Sequence, residues 1–447
     1  MGKEETRALS FDVKGGKDVM PIMGFYGPSL TYHKKEEYDF PNRITDEWFQ
    51  AIAEAGIKII AYSDLDYAMY PELVMKSLDL CEKYGMGYWV LDSNISSNMG
   101  KIGDEPVDVE AFKKELALFK DHPAYGGIFL IDEPRTSYYL PGFEGQKDIA
   151  RHQEIAHVLQ YELGQNCYLN AFPIWDMETQ GPVYEKYIAE YCETLRPKYL
   201  MWDHYPYYPN RECERLPVYF YNMDLIKRYA EKYEIPFIAA IQAGSQWNDE
   251  QIHFDSELPY YPNEAHFNWN INTCLAFGVQ GIDYFPLVQV EHFAYAGTDD
   301  KPSWDFKRNG LIGATGEKNQ WWHYAKRINE HIRAIDEVLM NSVNKGIIIH
   351  GEQIQEDMKL TTCVIQSGKF EELVNVDGEA LVGCFNYQGK TALYVVNYSI
   401  ESQQNIALSF DKEHEVQIVQ NAVTSSQRVQ ILELEMDAGE GILLVIE

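Results

Sequence analysis

At 447 residues the chain exceeds one ordinary hydrophobic core, so two domains are the default reading. Apolar residues make up 45% and charged residues 24%, which supplies a packed interior and gives no sign of disorder. Thirty-eight Lys and Arg stand against 69 Asp and Glu, and the formal charge of −31 repels a phosphate backbone or an anionic bilayer, so nucleic acid and membrane are excluded as partners. Seven scattered cysteines, never spaced CxxC and never beside a histidine cluster, read as free thiols in a reducing compartment. No metal and no cofactor is expected. The opening MGKEETRALSFDVKGG has no apolar core, and no run of about 18 apolar residues follows, so the expected location is cytoplasmic.

From residue 20 to about 340, short apolar runs alternate with longer stretches whose apolar positions recur at helical spacing. The predicted strands are 21–28 (PIMGFYGP), 57–64 (IKIIAYSD), 87–94 (GYWVLDSN), 125–134 (YGGIFLIDEP), 167–175 (CYLNAFPIW), 198–206 (KYLMWDHYP), 236–244 (PFIAAIQAG) and 281–287 (GIDYFPL). Amphipathic helices are predicted between them, from ITDEWFQAIAEAG after the first strand to WWHYAKRINEHIRAIDEVL after the eighth, each stopped by Gly or Pro or running into the next domain. Eight strand–helix units predict an α/β fold, a (β/α)8 TIM barrel. A doubly wound nucleotide-binding sheet lacks support, because neither GxGxxG nor GxxxxGK[ST] occurs.

After residue 345 the pattern switches to period two, in segments such as NKGIIIHG, EALVGCFNYQGKTALYVVNYS and GILLVIE, joined by turn residues. This predicts a C-terminal all-β sandwich of about 100 residues. The expected division is a catalytic barrel over 1–342 and a sandwich over 343–447 that covers one side of the barrel.

Barrel chemistry sits where the C-terminal strand ends converge. Those ends carry Tyr26, Asp64, Asp92, Asp132 and Glu133, Asn170 and Trp175, Asp203 with Tyr205, Gln242, and Asp283 with Tyr284. The set is rich in carboxylates, amides and rings and poor in Lys and Arg, which argues against phosphorylated substrates and Schiff-base chemistry. Neutral polyhydroxyl compounds fit better, since amides and carboxylates bind hydroxyl pairs and flat rings offer a face to a pyranose. The expected partner is a carbohydrate. Tyr26, Asp64, Asp92, Asn170, Trp175, Trp202, Tyr205, Gln242, Trp247 and Tyr284 are the expected substrate-binding residues. Residues 245–267, carrying Trp247, form a loop long enough to wall a cleft.

The sharpest signal is GGIFLIDEP, which ends the fourth strand on Glu133 and turns the chain at Pro134. With the βα rhythm, the GIDYFPL eighth strand and the terminal sandwich, the chain resembles the clan A glycoside hydrolases, whose fourth strand ends Asn-Glu-Pro. The resemblance implies an O-glycosidase with Glu133 as general acid/base. It also implies a nucleophilic Glu closing strand seven, where this sequence has Gln242, a neutral amide that cannot attack an anomeric carbon. Three readings stay open. Asp203 is the second carboxylate, as nucleophile or as base for a water; or Glu291, just after strand eight, completes the pair; or the barrel binds glycan without cleaving it. Asp132, one residue before Glu133, is expected on the opposite side of the pleat in a supporting role.

Overall fold

Strands that are apolar on both faces need cover on both, and the chain meets this by closing them into a ring with helices outside. A computed structural model describes residues 19–30, 42–100, 106–134, 149–174, 177, 180–207, 212–244, 263–291, 307–308, 310–313 and 315–447. Eight parallel strands form a closed barrel in chain order: β1 (Ile22–Gly24), β2 (Ile59–Ile60), β3 (Gly87–Leu91), β4 (Tyr125–Asp132), β5 (Cys167–Ala171), β6 (Leu200–Asp203), β7 (Phe237–Gln242) and β8 (Ile282–Phe285). The ring shuts where Ile22, Met23 and Gly24 pair with Ile282, Asp283 and Tyr284. Each strand lies inside its predicted segment.

Eight helices follow the strands: α1 (Asp46–Glu54), α2 (Pro71–Lys83), α3 (Val109–Leu116), α4 (Ile149–His157), α5 (Gly181–Leu195), α6 (Glu212–Tyr233), α7 (Glu264–Phe277) and α8 (Gln320–Met340). Their starts are chemically marked. Pro71 opens α2, Asn263 Oδ1 accepts from His266 N at the start of α7, and Asn319 Oδ1 accepts from Trp321 N and Trp322 N at the start of α8. Gly278 ends α7 with φ 92°, a left-handed value that glycine adopts without strain.

Alternation along the strands divides the core into two layers. Met23, Ile59, Ala61, Trp89, Tyr168, Met201, Ile238 and Ala240 fill the barrel interior. Their neighbours Ile22, Ile60, Tyr88, Val90, Leu169, Leu200, Trp202, Ala239, Ile241, Ile282 and Tyr284 face the helices.

Two two-residue strands, β9 (Val290–Glu291) and β10 (Lys307–Arg308), pair after β8. The C-terminal strands are β11 (Ser342–His350), β12 (Leu373–Asp377), β13 (Ala380–Tyr387), β14 (Lys390–Asn397), β15 (Gln404–Gln420), β16 (Val423–Met436) and β17 (Gly441–Ile446). They form an antiparallel sheet in the order β11-β13-β14-β17-β15-β12, with β16 on β15. A register shift between Ser409 and His414 bends β15. Its first half pairs with β12 and its second with β17, so the sheet folds into a sandwich around Val382, Leu393, Val395, Ile406, Leu408, Leu434, Ile442 and Leu444. The fold is the predicted one, a (β/α)8 barrel with a C-terminal all-β sandwich.

The sandwich explains one departure from the expected pattern. Helix α7 was expected to be amphipathic, yet Phe267 and every residue from Trp269 to Phe277 are buried. The barrel covers one side, and the outer face of the sandwich covers the other, with Leu381, Ala392, Tyr394 and Leu443 joining the helix layer. The buried amide of Asn272 ties the two together, accepting from Tyr394 Oη at 2.7 Å and donating to Gly439 O at 2.8 Å. No helix among the described residues is long and apolar enough to cross a membrane.

Candidate active site

The same alternation decides which strand-end residues reach the mouth. Asp203 and Asp283 both pair with Ala240, an inner-layer position, so both side chains point into the barrel. Trp202 and Tyr284, one step along, therefore point outward. Trp202 stacks on Phe237, and Tyr284 stacks on Phe267 and donates to Asn329 Oδ1. Both were expected to bind substrate; the period of two sends them to the helix layer instead.

Four carboxyls gather at this end. Asn170 Nδ2 donates to Asp132 Oδ1 at 3.0 Å and to Asp203 Oδ1 at 2.8 Å, so one amide gathers strands four, five and six. Asp203 also lies close enough to Glu133 for their carboxyl groups to act on each other directly. Two carboxyls that close are not both charged at little cost, and the proton rests on Asp203. Burial first, and then the charge of Glu133, pushes Asp203 well above the ordinary carboxylate range. Asp283 lies deeper and fully buried; burial raises it too, against the hydrogen bond it accepts from Tyr168 Oη at 3.3 Å.

Asp132 departs from its expected place. A β-bulge between Phe129 and Ile131 shifts the strand, and Glu133 takes a left-handed φ of 42° while its N–H still donates to Asn170 O. The pleat no longer sends Asp132 away from Glu133, and the two join one cluster. Asp132 is exposed to solvent yet walled by protein, as the floor of a cleft would be; burial among those walls, then the charge of Glu133, lifts it to about 7. The backbone at Glu133 is costly, since the residue before proline favours extended values and a left-handed non-glycine residue costs about 1–3 kcal/mol. Tyr187 offsets this by donating to Pro134 O at 2.8 Å and accepting from Phe172 N at 2.9 Å.

Half-buried rings surround the carboxyls. Tyr26, itself left-handed at φ 61°, meets Phe25, Tyr62 and Phe285, and Phe285 stacks on the buried Tyr205 with centroids 5.2 Å apart. Tyr62 and Phe129 pack at 4.5 Å. Tyr26 and Tyr205 thus fall where the sequence puts them. Tyr62 and Phe129 were missed: Ile128 faces the helices, so alternation along β4 turns Phe129 inward, whereas Tyr62 follows the inward Ala61 and is not marked by alternation.

Other expected binders are placed differently. Gln242 is buried, and its amide accepts from Tyr207 N at 3.0 Å and donates to Tyr207 O at 2.9 Å and Gly244 O at 3.3 Å, so it braces the loop after β6. Asp92 is buried and caps the helical turn Ser93–Ser96 through Asn94 N; burial raises it to about 6. Asp64 is half-buried, accepts from Tyr62 Oη at 2.6 Å, and is raised by burial. Glu291 lies on β9, paired with Lys307. Trp175 and Trp247 lie outside the described residues.

One group among the described residues has metal-ligand types in reach, Asp79, Glu82 and His122 on the barrel's flank. His122 Nδ1 accepts from Ala124 N at 3.1 Å, which puts the ring proton on Nε2, facing Asp79 Oδ1 at 3.1 Å. A metal would need that nitrogen bare, so the group is an ordinary hydrogen bond.

No protein-family model and no curated protein matches the chain. Among solved structures, a β-galactosidase from Bacillus circulans sp. alkalophilus is similar over 98% of this chain and 100% of its own, with a TM-score of 0.57 at 8% identity. An α-amylase from Geobacillus thermoleovorans, complexed with acarbose, is similar over 96% and 98%, with a TM-score of 0.51 at 10% identity. A β-galactosidase from the psychrophilic Marinomonas ef1 matches 76% of this chain, which spans 65% of that longer one, with a TM-score of 0.46 at 11% identity. At such identities the likeness shows the fold alone, a (β/α)8 barrel followed by an all-β domain.

Proposed function

We propose that the chain is a glycoside hydrolase that cleaves O-glycosidic bonds of a neutral, β-linked saccharide, with Glu133 as general acid/base and the barrel as its catalytic unit. The contact between Glu133 and Asp203 at the barrel mouth carries this reading, because it supplies a carboxyl beside a proton reservoir at the strand ends. A carboxylate nucleophile stands about 5–5.5 Å from the acid, and a base for water roughly 6.5–9.5 Å from it. Direct contact corresponds to neither. Asp203 therefore acts from behind Glu133, setting its proton, rather than from the far face of the sugar. The half-buried rings Tyr26 and Phe285 are the proposed platforms for the pyranose.

Glu133→Gln tests the assignment. It is expected to lower kcat/KM for glycosides with poor leaving groups by about 10²–10⁴-fold, and to lower it far less for activated aryl glycosides. Unchanged activity of this variant on poor leaving groups removes Glu133 from the role. The amide at Gln242 favours a second reading, a barrel that binds glycan without cleaving it; glycan binding by calorimetry with no product after days of incubation would establish that reading instead.

A further inference from the structure

Behind the carboxyls a second set of polar groups ties the ends of β4, β5 and β6 together. Tyr184 and Tyr187 stand one turn apart on α5, and both are fully buried. Tyr187 Oη donates to Pro134 O at 2.8 Å and accepts from Phe172 N at 2.9 Å. Tyr184 Oη shares its one proton between Phe172 O at 3.1 Å and Asn222 Oδ1 at 2.7 Å. The buried Asn222 amide, on α6, donates in turn to His204 Nδ1 at 3.2 Å. The series of bonds thus begins on the residue after Glu133, grips both backbone groups of Phe172 just past Asn170, and ends on the residue after Asp203. Phenylalanine fills the same space without a hydroxyl, and a buried hydroxyl costs stability unless it is bonded, so these two hydroxyls are placed for what they hold.

The backbone most in need of holding is at Glu133. It takes φ 42° directly before proline, where an unrestrained residue relaxes toward extended values. One bond resists that on each side: Glu133 N–H donates to Asn170 O at 3.1 Å, and Tyr187 holds Pro134 O. Relaxation of this backbone would swing the Glu133 side chain away from its present place among the strand ends. A misplacement of about 1 Å in a reacting group costs about 10²-fold in rate.

We propose that Tyr187 is the positioning residue of the general acid: its hydroxyl, locked between Pro134 O and Phe172 N, fixes the left-handed backbone that aims the Glu133 carboxyl at the leaving oxygen. This rests on the glycosidase reading above and adds to it a residue that acts through Glu133 without touching the sugar. Tyr184 and Asn222 serve the same brace from its far side, by keeping Phe172 and the start of the loop after β6 in place.

The test uses the full chain and Tyr187→Phe, which keeps the ring and removes the hydroxyl. Substrates are the methyl and 4-nitrophenyl β-glycosides of whichever of glucose, galactose, mannose and xylose the wild type turns over fastest. Tyr187→Phe is expected to lower kcat for the methyl glycoside about 10–100-fold with KM unchanged. It is expected to change kcat little for the 4-nitrophenyl glycoside, whose leaving group departs without a proton. Placed on Glu133→Gln, the same substitution is expected to lower kcat for the methyl glycoside no further. Tyr184→Phe, which releases Phe172 O alone, is expected to give the same pattern at smaller amplitude, and it carries the test if Tyr187→Phe does not fold. Equal losses on both glycosides, or a full further loss on the Glu133→Gln background, assign the hydroxyl to the fold in general and overturn the proposal. A crystal structure of Tyr187→Phe supplies a readout independent of turnover: Glu133 is expected to leave its left-handed φ, and an unchanged backbone there overturns the proposal. A wild type that turns over none of the glycosides removes the glycosidase reading, and the crystal structure alone then decides whether Tyr187 sets the backbone at Glu133.

Discussion

The barrel mouth and the C-terminal sandwich are built on opposite terms. In the sandwich the interior positions are apolar, and the buried Asn397 and Tyr394 are satisfied: Asn397 Nδ2 donates to the carbonyls of Ser402, Met436 and Asp437, and Tyr394 bonds Asn272. At the mouth, carboxyls of like sign crowd together, and Asp283 Oδ1 and Asn170 Oδ1 are buried without a hydrogen-bond partner among the described residues. Groups that lower stability persist where something other than stability selects them, and a cleft for chemistry is such a place. The sandwich and the outer helix layer supply the stability that the mouth gives up.

Mutations in the two regions should therefore behave in opposite ways. Leu444 is fully buried in the sandwich, and Leu444→Ala is expected to cost about 2–5 kcal/mol in denaturant unfolding while leaving kcat at the mouth unchanged. A large loss of kcat in the folded variant would mean that the sandwich takes part in the site.

A smaller effect sharpens the contrast through pH. The folded state lifts Asp132 to about 7. Unfolded Asp titrates near about 3.9, so between those values the folded chain keeps a proton that the unfolded chain has released. The stabilising contribution is complete below the lower value and disappears as pH rises through the upper one. Asp132→Asn lacks this slope. Its melting temperature minus that of the wild type is expected to increase from pH 4 to 7.5, in the variant's favour. Parallel melting curves over that range would show that Asp132 is not held in the proposed environment.

The architecture was legible because it depends on periodicity. Repeated apolar runs give the eight strands, and the switch to alternation after residue 345 gives the sandwich. Within the site, Glu133, Asp203 and Asn170 were legible from their places at strand ends, and they meet. Trp202 and Tyr284 were misread although the information was present: if Asp203 and Asp283 face inward, their neighbours cannot. Gln242 and Asp92 sit at the correct ends, but their side chains are committed to backbone groups of loops, which strand patterns do not reveal. The convergence of Asp132 on Glu133 was not legible, because it depends on a β-bulge and a left-handed residue before proline, and no residue type announces either.

The central claim is that Glu133 and Asp203 work as one unit, and a double-mutant cycle tests it most directly. It compares kcat/KM for a β-glycoside with a poor leaving group in the wild type, Glu133→Gln, Asp203→Asn and the double variant. One shared function predicts that the double variant loses about as much as Glu133→Gln alone. Losses that multiply would mean that the two carboxyls act independently, and would contradict the account.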